Sequence, residues 1–164
     1  MKKLLLLLTI LICSYTMTAQ GFGAAISGGY LSEIEGFGAT ADLIYEIDEK
    51  WGVSTDATYS VADAGSTRAK WFIIDLNGRY KVYDEAYILA GGEYLNITLK
   101  QGGLGLGAVT TTEFETSNGE FGFNAGAGYK YNIIDNVNVF TEVKYVIIDP
   151  AGYFHARLGL QFDF

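Results

Sequence analysis

Apolar and polar positions alternate with a period of two along most of the chain, in eight runs of about ten residues separated by turn signals. The runs cover 22–31, 37–47, 51–61, 70–80, 86–97, 120–131, 137–147 and 153–164. One parity carries Phe22, Ala24, Ile26 and Tyr30 in the first run. The same parity carries Trp51, Val53, Ala57 and Tyr59 in the third, and Phe154, Leu158, Leu160, Phe162 and Phe164 in the last. Apart from Lys70 at a strand end, this face bears no charge. The opposite parity holds Asp42, Asp56, Asp75, Arg79, Glu93, Lys130, Glu142, Lys144 and Arg157 with many glycines. A period of two puts successive side chains on opposite faces of a strand, so the pattern predicts an all-β chain with one uncharged face.

Three features decide which face points outward. An eight-stranded barrel has an interior only just wide enough for side chains, so about twenty large apolar groups do not fit inside, whereas glycines and polar groups do. With strands alternating in direction, Tyr45, Trp51, Tyr80, Tyr129, Tyr131, Phe162 and Phe164 gather at one rim. Tyr30, Phe37, Tyr59, Phe72, Tyr94, Phe121, Phe123, Tyr145 and Phe154 gather toward the other, with Ala, Val, Ile and Leu between. Two aromatic girdles around an apolar band about 25 Å tall mark a transmembrane barrel. The connections 48–50, 82–85 and 132–136 on the side of the termini are short, whereas the other side has 32–36, 62–69, 148–152 and the long stretch 98–119. In hydrocarbon each backbone N–H and C=O must be paired, so the sheet must close, with the last strand beside the first. The expected fold is an eight-stranded antiparallel up-and-down transmembrane β-barrel.

Composition agrees: 12 Tyr, 10 Phe and 21 Gly against a single Pro favour strands over helices. The first residues read differently. Met1-Lys2-Lys3, the apolar stretch Leu4–Ser14 and the segment Thr16–Ala19 form a secretory signal peptide over 1–19, which leaves 20–164 as the barrel domain. Cys13, the only cysteine, falls in that leader, so the remainder has no thiol chemistry. Without Lys2 and Lys3, 9 of the 11 basic residues face 19 acidic ones, a net charge of −10 that argues against nucleic acid as a partner.

On these residues the chain resembles the outer-membrane β-barrel domain family, the small OmpA/OmpX-type barrels known as porin family proteins. Its ending resembles the assembly signal of that family: Arg157, Gly159 two residues on, then Phe162 and Phe164. The resemblance implies a bacterial outer-membrane location and recognition by the outer-membrane assembly machinery, with Gly159, Phe162 and Phe164 as the signal. It also implies contact with outer-membrane lipid and lipopolysaccharide, and a monomer.

Candidate chemistry concentrates inside the barrel. Asp42, Asp56, Asp75 and Glu93 fall near mid-height on four successive strands, and Glu142, Lys144 and Arg157 at similar height on the last two. Buried charges persist when paired and hydrogen-bonded, so the first reading is an ion-pair network that plugs the lumen. The alternative is a narrow pore or transporter for small solutes, with a cation path lined by acids. A lipid A-modifying enzyme is a third reading. The lipid A acyl-hydrolase type resembles a His-Ser pair facing lipid, but His155, the single histidine, has no serine beside it and its parity turns it inward. No catalytic residue, cofactor or metal site is assigned: one histidine and no cysteine beyond the leader make zinc improbable. Gly102–Ala108 spells a G-x-G-x-x-A string without the strand-to-helix context of a dinucleotide site. The stretch 98–119 reads instead as a mobile outer loop, with Leu104, Leu106, Val109 and Phe114 available to lipopolysaccharide or a partner.

Overall fold

A computed structural model of the chain describes residues 21–64, 67–101, 114–149 and 151–164. The leader expected over 1–19, with Cys13, lies outside the described residues, as do residues 102–113 with Leu104, Leu106 and Val109. The described chain is a closed barrel of eight strands, each hydrogen-bonded to the next in sequence. They are β1 (Phe22–Leu31), β2 (Gly36–Glu46), β3 (Trp51–Ala64), β4 (Thr67–Tyr83), β5 (Ala86–Gln101), β6 (Phe114–Ile134), β7 (Val137–Ile148) and β8 (Ala151–Asp163).

Closure rests on β1 against β8, antiparallel from Gly23 opposite Asp163 to Leu31 opposite His155. Backbone bonds finish both ends of this seam: Phe164 N–H donates to the Phe22 carbonyl at 2.7 Å, and Ser32 N–H to the Phe154 carbonyl at 3.0 Å. Among the described residues no sheet edge is left at membrane height, as a hydrocarbon surrounding demands. Ile26, Leu43, Leu76, Phe123, Ile147 and Leu158 are exposed, as lipid-facing residues are, whereas the opposite parity is buried. The girdles consist of cross-strand aromatic pairs. Phe22–Phe164 (ring centroids 6.2 Å apart) and Trp51–Tyr80 (4.7 Å) lie at the rim of the termini. Tyr30–Phe37 (5.4 Å), Tyr94–Phe121 (4.9 Å) and Tyr145–Phe154 (4.8 Å) lie toward the other.

Turns at the terminal rim are tight. Asp48 opens one of them: its carboxylate accepts from the backbone N–H of Lys50 and of Trp51, each at 2.8 Å, and these bonds hold its carboxyl below the usual carboxylate range. Asp84 (φ 47°) and Asn136 (φ 66°) take left-handed conformations in two others, which short Asx side chains tolerate.

The strands are longer than expected on the side away from the termini. Residues 98–101 and 114–119, expected in a loop, are strand: Thr98 faces Ser117 and Gln101 faces Phe114 across β5–β6. The reason lies in the residues. After Tyr94 the apolar parity reverses, so that Leu95 turns into the lumen, and past Ile97 no alternation remains for parity counting to follow. β6 meets β7 only from Phe123 onward, opposite Ile147, so β3 to β6 form a wall that rises beyond β1, β2, β7 and β8.

One glycine sets how closely β4 and β5 approach. A Cβ on Gly91 would overlap the backbone carbonyl oxygen of Leu76. Gly91→Ala is expected to destabilise the barrel by about 1–3 kcal/mol, the usual cost of overpacking, measured by urea unfolding of bilayer-inserted protein.

Candidate functional site in the barrel lumen

The seven charged residues singled out in the sequence meet inside the barrel. Cross-strand register places Asp42 opposite Asp56, Asp56 opposite Asp75, and Asp75 opposite Glu93, so four carboxylates stand in one row over β2 to β5. Like charges directly opposite on neighbouring strands repel. The compensation comes from β7 and β8, where Glu142 faces Arg157 and Lys144 faces His155.

Lys144 Nζ lies 2.5 Å from Asp75 Oδ2, 3.7 Å from Glu93 Oε2 and 3.8 Å from Asp56 Oδ1. Arg157 forks between two acids, with Nη1 at 2.6 Å from Asp42 Oδ1 and Nη2 at 2.6 Å from Glu142 Oε1. Its Nε donates to Glu142 Oε1 at 2.8 Å, and Asp56 Oδ2 lies 3.8 Å from Nη2. All seven groups are buried, Lys144 at 1% exposure and Arg157 at 5%. Both cations come from neighbouring strands and both reach Asp56, which joins the two halves into one cluster.

Neutral residues complete it, among them two tyrosines that the parity reading did not single out. Tyr87 donates its hydroxyl to Glu142 Oε2 at 2.9 Å, Tyr153 donates to Glu93, and the Asn124 amide donates to Asp75 Oδ1 at 2.8 Å. Tyr87 and Tyr153 stand on the inward parity among charged and glycine positions, which is the signal that could have found them. Arg79 stacks on the Tyr87 ring at 4.0 Å. At the terminal rim Lys130 bridges Glu46 (3.3 Å) and Asp163 (3.5 Å), around a mouth lined by Ile44, Arg79, Tyr87 and Gln161. This mouth has about 60 Å³ of room for water centres, enough for a few waters.

His155 is inward and buried, at 1% exposure, against Gly29, whose missing Cβ makes room for its ring. Neither ring nitrogen has a hydrogen-bond partner among the described residues. Gly159 also faces inward, close under the Phe140 ring. Phe162 and Phe164 point outward at the terminal rim, away from the charge cluster.

The sequence profile of the outer membrane protein beta-barrel domain matches residues 4–163. The chain belongs to that family. Among solved structures it is similar to the N-terminal β-barrel domain of Pseudomonas aeruginosa OprF, at 17% identity over 88% of this chain and 97% of that one, with a TM-score of 0.64. It is also similar to a major outer membrane protein from Thermus thermophilus, at 13% identity over 90% and 100%, with a TM-score of 0.77. Ail, the attachment invasion locus protein of Yersinia pestis, gives 12% identity over 90% and 100%, with a TM-score of 0.62. No curated protein matches the sequence. At these identities the structural likeness speaks for the fold, and the lumen has to be read from its own residues.

Arg157 is the only cation bonded to Asp42 and Glu142 among the described residues. Arg157→Met leaves both acids buried without a counter-charge and is expected to cost about 3–5 kcal/mol of unfolding free energy, whereas adding Asp42→Asn and Glu142→Gln should recover a large part of it. Urea titration of the single and triple variants in lipid checks this.

Proposed function

We propose that this protein is an integral outer-membrane barrel with a plugged lumen, acting as a structural or surface-interaction element of the cell envelope. The observation that carries the reading is the buried cluster around Lys144 and Arg157, in which cations from one wall reach carboxylates of the other. An eight-stranded lumen is only wide enough for side chains to fill it, and the buried cluster shows that they do. The raised wall of β3 to β6 supports an interaction role, because it carries the strands beyond the apolar band on the side away from the termini. Both termini then lie in the periplasm, where short turns belong, and the raised wall faces outward. The protein acts as a monomer in contact with lipid and lipopolysaccharide.

In this reading Gly159, Phe162 and Phe164 serve the outer-membrane assembly machinery. The same two phenylalanines also anchor the terminal rim, and the tests of the two roles differ. Phe164→Ala should lower the yield of membrane-inserted protein while leaving the thermal stability of the inserted fraction nearly unchanged; an unchanged yield would refute the signal role. The lipid-modifying alternative finds no support in His155, which is buried in the lumen beside Lys144.

Planar-bilayer recording tests the plug. The wild-type protein is expected to give no stable unitary steps. Cation-selective steps abolished by substituting Asp42, Asp56 and Asp75 would establish the pore instead.

A further inference from the structure

The lumen is layered, and the layers differ in kind. On three strands an apolar side chain sits two residues from a charged one of the cluster, on the same face: Ile73 and Asp75, Leu95 and Glu93, Val146 and Lys144. A step of two moves about 6.6 Å along a strand. In each case the apolar partner is the one nearer the rim away from the termini. Leu31, Trp71, Ile148 and Tyr153 complete a buried apolar cluster at this level. The Trp71 and Tyr153 rings meet edge to face at 5.3 Å.

The β2–β3 wall offers this level little polarity. The Thr40 and Thr58 hydroxyls bond each other at 2.7 Å, and the Ser60 hydroxyl donates to the Phe37 carbonyl at 2.9 Å. Leu31 covers Gly38, its Cδ1 lying 3.2 Å from where a Cβ would stand. On the other side of the charges the lumen combines a smaller apolar group, Ala25, Ile44 and Phe140, with a polar mouth at the terminal rim that reaches Tyr87, whose hydroxyl bonds Glu142.

We propose that this apolar septum, rather than the ion pairs, is the barrier that closes the barrel to ions, and that the acidic layer beneath it makes the lumen cation-selective once the septum is breached. The inference rests on the closed-lumen reading above and locates the closure. Ion pairs can be hydrated and rearranged, whereas an apolar constriction excludes a hydrated ion by dewetting. Selectivity follows from charge: among the described residues Asp42, Asp56, Asp75, Glu93 and Glu142 oppose only Lys144 and Arg157 at that level.

The test compares planar-bilayer recordings of wild type, the septum variants Trp71→Ala and Ile73→Ser, and the charge-layer variant Asp42→Asn, each checked for insertion by heat-dependent gel mobility. Cation-selective steps in either inserted septum variant, with wild type and Asp42→Asn silent, are expected. Silence in the inserted septum variants, or steps in Asp42→Asn, overturns the septum while leaving the plug intact. Steps in wild type overturn the plug itself. A measurement that leaves the septum untouched is thiol labelling of Gln161→Cys in a Cys13→Ser background, in oriented proteoliposomes. A charged thiol reagent is expected to react from the terminal side only, and equal reaction from both sides overturns the septum.

Discussion

Asp42, Asp56, Asp75 and Glu93 stand side by side on adjacent strands, an arrangement that repels itself and that water would screen on a soluble sheet. Inside the barrel the repulsion is relieved by Lys144 and Arg157, whose long side chains leave β7 and β8 and enter the acidic row. The barrel must be closed for this contact to exist, because only closure brings β8 beside β1 and sets β7 and β8 facing the acids. Closure is required independently by the backbone in hydrocarbon. Fold and charge pairing therefore depend on one topological event, the β1–β8 seam.

The remaining lumen follows from fitting side chains around that cluster. Glycines at 29, 91, 126 and 128 stand where a Cβ would meet His155, the Leu76 carbonyl, Lys144 or the Tyr87 ring. Gly29, Gly126 and Gly128 thin the wall opposite inward side chains, and Gly91 lets the β4 backbone come close. The cluster is flanked unequally, by Tyr87, Arg79 and Gln161 with the small apolar group Ala25, Ile44 and Phe140 toward the termini, and by the larger apolar group of Leu31, Trp71, Ile73 and Val146 on the other side.

Much of this was legible in the residues. Strand number and the uncharged face follow from parity, and the narrow interior, the aromatic girdles and the loop lengths turn that face outward. The seven charged residues were legible as inward because they break an otherwise apolar pattern. Their pairing was not, because the shear of the barrel decides which residue of β7 stands level with Asp75, and one sequence does not give shear. The septum was hidden for a related reason. Trp71-Phe72-Ile73-Ile74 and Val146-Ile147-Ile148 are apolar on both parities, so the inward members were masked by lipid-facing neighbours; such two-sided apolar runs at one end of several strands are the signal to seek. The strand extensions past Ile97 were missed because both faces leave the lipid there and alternation loses its cause.

The central claim is that charges from opposite walls hold the lumen together. It is tested most directly by a double-mutant cycle on Asp75 and Lys144, with Asp75→Asn and Lys144→Met alone and combined, read as unfolding free energy in lipid bilayers. The account predicts a coupling of about 2 kcal/mol or more, within the range for directly bonded buried groups. Additive effects, with a coupling below about 0.5 kcal/mol, would contradict it.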